Sequence, residues 1–362
     1  MKSKNSDVPL RKRIAWAALA ATGLAAVVVM LGAWTRLVDA GLGCPDWPGC
    51  YGFIGVPMTA QDIAIAEARF PEAPVEVDKG WPEMIHRYFA TSLGFVILCL
   101  SVYTFWSSRR SVAAQPKSSA QPSVLNGIPK LHIAGLLVLV ICQGLFGMWT
   151  VTLKLWPQVV SIHLLGGFAT LSLLFLLFLR TRAHEPLSFD IGSSALAHMK
   201  RLAVLALILT VIQIFLGAWT ASNYAALACG DELPTCQGAY WPEMNFAQGF
   251  DLFQSIGPNY LGGLLDNESR VAIQVSHRIG ALLLTAYFIY MFFSLRKLLN
   301  HRVLKQAVLA VFIVLVVQIA LGLSNVIWLI PLSIAVAHNA VGALLLLSLV
   351  NLNYQLSRIK QK

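Results

Sequence analysis

Four histidines stand inside otherwise apolar stretches of the chain: His86, His163, His277 and His338. Each lies about five to seven residues into an apolar run of helix length, which at 1.5 Å per residue puts all four imidazoles roughly 6–10 Å below one surface of a hydrocarbon core. Ionisable side chains inside a membrane are costly and usually functional. One alone is explained by an interhelical hydrogen bond; four at one depth are not. Two imidazoles on facing helices, with little acid or thiolate beside them, suit the two axial positions of a heme iron. Zinc would require further ligands. His132, His184, His198 and His301 fall in loops or at the ends of runs and read as solvated.

Around these histidines the chain is almost, but not fully, symmetric. Glu83 stands three residues before His86 and shares its helix face. Gln274 stands three before His277. A buried carboxylic acid can carry protons or stabilise a developing cation, and an amide cannot. The first half therefore reads as reactive and the second as an electron carrier. The plainer account of Glu83 is an acid favoured at a helix start by the dipole. Arg87 and Arg278 follow two of the histidines and are candidate partners for heme propionates, unless they snorkel to the interface. "WPEM" recurs at 241–244, but Glu243 is too far from His277 to repeat the role of Glu83 and reads as loop. Two cysteine pairs, Cys44/Cys50 in "GLGCPDWPGCYG" and Cys229/Cys236 in "CGDELPTC", lie in turn-rich loops. A brace, a metal site and a redox switch are the alternatives.

The elements that must hold these residues are membrane helices. Of 362 residues 57% are hydrophobic and 12% charged, with mean hydropathy +0.67. A soluble domain carries about twice that charge. Eight runs are long enough to span: 14–37, 82–106, 131–152, 158–180, 202–222, 271–294, 306–328 and 332–354. The first reads as a retained span and not a cleaved leader, since it lacks a small-residue cleavage site. The two long loops, 38–81 and 223–269, are acidic, and the second has no lysine or arginine. The N-terminus, the loops 107–130, 181–201 and 295–305, and the tail are basic. Lysine and arginine kept inside explain the pattern, with both termini cytoplasmic. The net charge of +10 is thus a topology signal, and nucleic acid is excluded as a partner. The segment 113–127 reads as a polar cytoplasmic linker.

The two halves repeat. "LGAWT" occurs at 31–35 and 216–220, each followed by a cysteine pair and then a His-Arg pair. Gln143 precedes His163 by the same interval as Gln318 precedes His338, with Gly147 and Gly322 at matching places. Four landmarks in one order indicate duplication. An even number of spans per half makes the repeat parallel. The expected fold is an all-α integral membrane protein of eight transmembrane helices in two parallel-repeat four-helix bundles. The expected units are a cytoplasmic N-terminus (1–13), a first bundle (14–180), a linker (181–201), a second bundle (202–354) and a cytoplasmic tail (355–362).

With "TRLVDAGLGCPDWPGC" (35–50), "EMIHR" (83–87), "HLLGG" (163–167), "SHRIGA" (276–281) and "HNAVGA" (338–343) in order along nearly the whole chain, the sequence resembles the heme A synthase family. The resemblance implies a heme-dependent membrane oxidoreductase of the bacterial inner (plasma) membrane. It would oxidise the C8 methyl of heme O to formyl by successive hydroxylations and supply heme A for cytochrome oxidase. It implies that His86 and His163 hold the substrate heme O, that His277 and His338 hold a permanent heme B, and that Glu83 is the essential carboxylate. Heme O synthase, an electron donor and a second copy of the chain are candidate partners. The competing readings are a di-heme cytochrome that only moves electrons, which leaves the Glu83/Gln274 difference unexplained, and a duplicated transporter, which predicts mid-membrane charges.

Residues 58–80 lengthen the first outer loop relative to shorter family members and are expected to form an amphipathic helix over the outer face. No histidine accompanies either cysteine pair, which argues against a metal. An oxidising exterior favours disulfides Cys44–Cys50 and Cys229–Cys236, with Cys99 and Cys142 left as free thiols in spans. Gly135, Gly144 and Gly147 are expected to permit close helix contact, within the chain or between chains.

Overall fold

The computed structural model describes residues 7–113, 128–182, 187–188 and 191–360. In lipid the backbone's polar groups must be satisfied within the segment, which an apolar run achieves by coiling into a helix. The first half contains α1 (Asp7–Leu37), α2 (Ala60–Arg69), α3 (Val77–Ala113), α4 (Lys130–Thr152) and α5 (Pro157–Thr181). The second contains α6 (Ser193–Ser222), α7 (Phe246–Gly249), α8 (Asn267–Leu295), α9 (Arg302–Ile327) and α10 (Leu332–Ser357). All but α2 and α7 are long and apolar enough to cross a membrane, eight helices in the described residues. A two-residue parallel ladder pairs Leu187 with Ile359. The expected linker at 113–127 lies, apart from Ala113, outside the described residues, as do the ends of the chain at 1–6 and 361–362.

The helices outrun the apolar stretches. α3 starts at Val77 and α8 at Asn267, well before the apolar runs that begin at 82 and 271. Hydropathy marks only the part in hydrocarbon, whereas the hydrogen-bond ladder continues into the polar interface. Asp266 caps α8, its side chain accepting from the Ser269 amide at 2.8 Å. Its carboxyl is held below the usual range by the hydrogen bonds from Ser269.

Within the first half α1 packs on α3 and α5, and α4 on α3 and α5. In the second half α6 packs on α8 and α10, and α9 on α10 and α8. The halves meet through α1, α5, α6 and α10. Ala18, Ala21 and Ala25 share one face of α1, and Leu171, Leu174 and Leu177 of α5 belong to the same buried cluster. In a membrane such contact is stabilised by close packing and not by removal from water. At Gly135 and Gly144 no atom of another element lies within 4 Å of where a β-carbon would be, so of the two expected uses, contact within the chain or between chains, the first is not made there. Gly147 makes it, against His163.

The turns match between halves. α1 and α6 end in left-handed Asp39 (φ 52°) and Tyr224 (φ 54°). The α4–α5 and α9–α10 hairpins each carry two consecutive left-handed residues, Lys154–Leu155 and Leu329–Ile330. Such bulky residues adopt positive φ at a cost, held by the surrounding structure. Here Leu155 N–H reaches the Thr150 carbonyl and Ile330 N–H the Asn325 carbonyl, both at 2.8 Å. Helix α5 then begins on Pro157, whose missing N–H costs nothing at that position.

Candidate functional site

The four histidines project from α3, α5, α8 and α10. His163 lies within electrostatic reach of His86, and His338 of His277, so each half brings its two imidazoles together. All four keep some accessible surface among packed helices, as side chains lining a space do. His86 and His277 stand five and four residues deeper in their helices than the apolar runs suggest, because α3 begins at Val77 and not 82, and α8 at Asn267 and not 271. Each imidazole leans on a glycine of a neighbouring helix. A β-carbon on Gly32 would lie 2.9 Å from His86 Cε1, on Gly147 3.4 Å from His163 Cε1, on Gly217 3.2 Å from His277 Cε1, and on Gly322 3.1 Å from His338 Cε1. Gly32 and Gly217 are the glycines of the two "LGAWT" copies, so that repeat marks the floor under a histidine.

In the first half the carboxylate of Glu83 is buried and held at both oxygens. Oε2 accepts from the Cys44 amide at 3.0 Å, and Oε1 accepts from Arg87 Nη2. Arg87 Nη1 also donates to the carbonyls of Asp46 at 3.0 Å and Gly49 at 2.5 Å. The disulfide Cys44–Cys50 closes that loop. A single unit therefore runs from the loop through Glu83 and Arg87 to the neighbour of His86. Glu83 sits six residues after the start of α3, beyond the first turn, where Asp78 is the acidic residue. The helix dipole consequently does not account for it.

The loop packs as a small core of its own. Cys44, Cys50, Tyr51, Val56, Ala66 and Met84 are buried together. Ala66 comes from α2, which agrees with the expected helix in the 58–80 segment. Thr59 caps that helix at the Asp62 amide. Burial, followed by the charges of Glu76, Glu67, Glu83 and Asp46, pushes the Tyr51 hydroxyl upward, and its O–H donates to the Pro74 carbonyl at 2.9 Å.

The second half has the same frame with different chemistry. The disulfide Cys229–Cys236 closes its loop, and Arg278 Nη1 donates to the carbonyls of Glu232 at 2.9 Å and Thr235 at 3.1 Å. Gln274 is buried where Glu83 stands, with Oε1 lacking a hydrogen-bond partner. Arg278 Nε and Nη2 are likewise buried without one. Both arginines thus brace their loops, and Arg278 keeps two buried nitrogens to spare. Glu243 lies in the loop outside any helix, as expected. Gln213 Nε2 is 3.0 Å from His277 Nδ1, and Gln318 Nε2 is 3.3 Å from His338 Nε2. Sequence reading passed over Gln213. The signal was there: it stands four residues before Gly217, where the first half has Val28 before Gly32.

Other expectations meet mixed outcomes. Cys99 and Cys142 are free thiols. His198 is exposed, but His132 is part-buried with Arg180 Nη1 3.4 Å from its Nδ1, so it is not simply solvated. His184 lies outside the described residues. Apolar packing joins the halves within the membrane, and hydrogen bonds join them at the loop-bearing end. Arg36 Nη2 donates to the Ala221 carbonyl at 2.5 Å while its guanidinium lies 3.9 Å from the Tyr224 ring centroid. Burial raises the Tyr224 hydroxyl there.

No group of three or more histidine, cysteine, aspartate or glutamate side chains able to hold a bare metal ion occurs among the described residues. Paired imidazoles alone suit a metal whose other donors come from a macrocycle. The fold and this arrangement define a polytopic helical membrane protein with two intramembrane histidine pairs, each under a disulfide-closed loop. Residues 15–350 match the COX15-CtaA family, described as cytochrome oxidase assembly protein, and the chain belongs to that family. It is 42% identical to a heme A synthase of Shewanella oneidensis over 328 residues, covering 91% of this chain and 92% of the relative. It is 28% identical to a heme A synthase of Chelativorans sp. over 347 residues, covering 91% and 87%.

Proposed function

We propose that the chain is a heme A synthase, a membrane oxidoreductase that converts the C8 methyl of heme O to formyl. The observation that carries the reading is the asymmetry beside the histidines. One half holds a buried carboxylate through Cys44 and Arg87, and the other has Gln274 in its place. A protein that only moved electrons between two like hemes would have no use for that carboxylate.

His86 and His163 would take the substrate heme O, and His277 and His338 a resident heme B. The fit rests on the donor set and on buried ring nitrogens: Nδ1 of His86, His163 and His338 lacks a hydrogen-bond partner. Heme iron, when bound, supplies the redox chemistry. The protein's own residues bind and orient. The glycines set the depth of each imidazole, the loops shield the sites from water, and Arg278 Nε and Nη2 are suited to a propionate. Glu83, fixed by two donors, can hold or pass a proton at Oε1 or Oε2.

Residues 14–180 and 202–354 act as two bundles in this reading, supported by the matching turns and by the packing within each half. Both termini face the cytoplasm of a bacterial plasma membrane, as the lysine and arginine distribution requires. The disulfide loops then face the oxidising side.

The test is co-expression with a source of heme O, followed by extraction of the hemes from purified protein and chromatography. Heme A is the expected product. Heme B alone would refute the synthase reading.

A further inference from the structure

The end of the molecule opposite the disulfide loops gathers arginines from both halves. Arg11 of α1, Arg180 in the last turn of α5, Arg182 just beyond it and Arg358 just beyond α10 all lie within electrostatic reach of Tyr354. Arg11 Nη2 donates to the Arg180 carbonyl at 3.4 Å. The Arg358 guanidinium carbon lies 5.7 Å from the Tyr354 ring centroid. Arg180 Nη1 lies 3.4 Å from Nδ1 of His132 on α4. Three helices of the first half and one of the second thus contribute to one basic cluster.

Two donors in it are unspent. A guanidinium can only donate, so His132 Nδ1 accepts and the ring proton sits on Nε2. That Nε2 is buried without a hydrogen-bond partner, and so is Arg11 Nε. Buried polar groups are normally bonded, and like charges this close repel. The salt bridges among the described residues, Arg36–Asp39, Lys79–Glu76 and Arg87–Glu83, lie on the loop-bearing side, and none involves Arg11, Arg180 or Arg182. Simpler accounts cover part of this. Cations at helix C-termini offset the dipole, which suits Arg180, Arg182 and Arg358. Arg11 stands in the second turn of α1, where the dipole opposes it. The bias of arginine to one side of a membrane explains the side and not the convergence. Next to Arg11, Lys12 and Arg13 are exposed, and Arg13 Nη1 donates to the Tyr103 hydroxyl instead.

We propose that this cluster binds the phosphate group of an anionic phospholipid at the seam of the two halves. Guanidinium forks match phosphate oxygens, and basic pockets between membrane helices take lipid headgroups. Helix α5 ends at Thr181 and α10 at Ser357, so the arginines stand where the helices leave hydrocarbon, at the level of lipid phosphates. The bound lipid ties α1 and α5 to α10 at this end, as Arg36 and Trp156 tie the halves at the other.

The test uses the purified full-length protein in phosphatidylcholine nanodiscs with rising fractions of phosphatidylglycerol. It reads the thermal unfolding midpoint, with retained phosphatidylglycerol and its affinity measured by native mass spectrometry. The parent should gain stability with phosphatidylglycerol and lose that gain in high salt. Arg180→Gln with Arg182→Gln, both exposed at a helix end, should weaken phosphatidylglycerol binding by about fivefold for each charge removed. Arg201→Gln on α6 removes an exposed arginine outside the reach of Tyr354 and should leave the affinity unchanged. An equal loss in Arg201→Gln would mean diffuse surface charge and overturn the site. Equal stabilisation by inorganic phosphate in pure phosphatidylcholine would assign the cluster to free phosphate and overturn the lipid. If the double variant fails to accumulate, the parent decides: a midpoint indifferent to phosphatidylglycerol at low salt overturns the proposal.

Discussion

Replacing Glu83 by glutamine changes one atom and removes one charge at the point where loop, arginine and histidine helix meet. The side chains of Glu83 and Arg87 are 5% and 11% exposed, so solvent screens their pairing little. Glutamine can still accept one hydrogen bond through Oε1, but its amide must then turn N–H toward either the Cys44 amide or Arg87, both donors. A hydrogen bond to a charged group contributes about 1.5–3 kcal/mol, and an unpaired donor adds a desolvation cost. Arg87 keeps its carbonyl partners at Asp46 and Gly49, which limits the damage. The expected loss of stability is therefore about 2–4 kcal/mol. If the carboxylate handles a proton in the reaction, turnover should fall about 10²- to 10⁴-fold while both hemes remain bound. The assay is heme A formed per protein by chromatography, with heme content and thermal unfolding measured on the same sample. Gln274→Glu is the mirror control: it places a carboxylate within reach of the spare Arg278 donors, and should fold, keep its heme and gain no activity. Full activity in Glu83→Gln would refute the proton role. An activity loss matched by loss of heme O would make Glu83 a binding residue instead.

Cys44→Ser with Cys50→Ser should cost about 2 kcal/mol through chain entropy, loosen the Cys44 amide from Glu83 and reduce heme A formation with hemes still bound; equal activity in parent and variant would exclude both brace and redox roles. Gly32→Ala brings a β-carbon to 2.9 Å from His86 Cε1, so heme O retention should fall even though alanine favours the helix by about 1 kcal/mol; heme content measured beside the melting temperature separates the two effects. Asp266→Ala removes the cap of α8 and should lower stability by about 1 kcal/mol. Hydrogen bonds hold that carboxyl below its ordinary value, so its contribution is present at neutral pH and is lost as pH falls through the lowered value. Melting curves of parent and variant should converge in acid.

The sequence by itself determined the membrane class, the eight spans, the four histidines, the cysteine pairs and the Glu83/Gln274 contrast. These depend on composition, on helix-length apolar runs and on exact intervals between repeated residues, all one-dimensional properties. Helix starts were legible only to within a turn or so, because hydropathy ends where the hydrocarbon ends and the backbone ladder does not. Tertiary structure alone decided what each side chain meets. It gave Arg87 to the loop carbonyls and Glu83, set a glycine of a neighbouring helix under each imidazole, and left open space where Gly135 and Gly144 would carry a β-carbon. It also joined Gln213 to His277 across two helices while turning Gln143 away from His163. Such partners lie far apart along the chain, or differ only in which way an amide turns, and neither is written in composition, hydropathy or the spacing of residues.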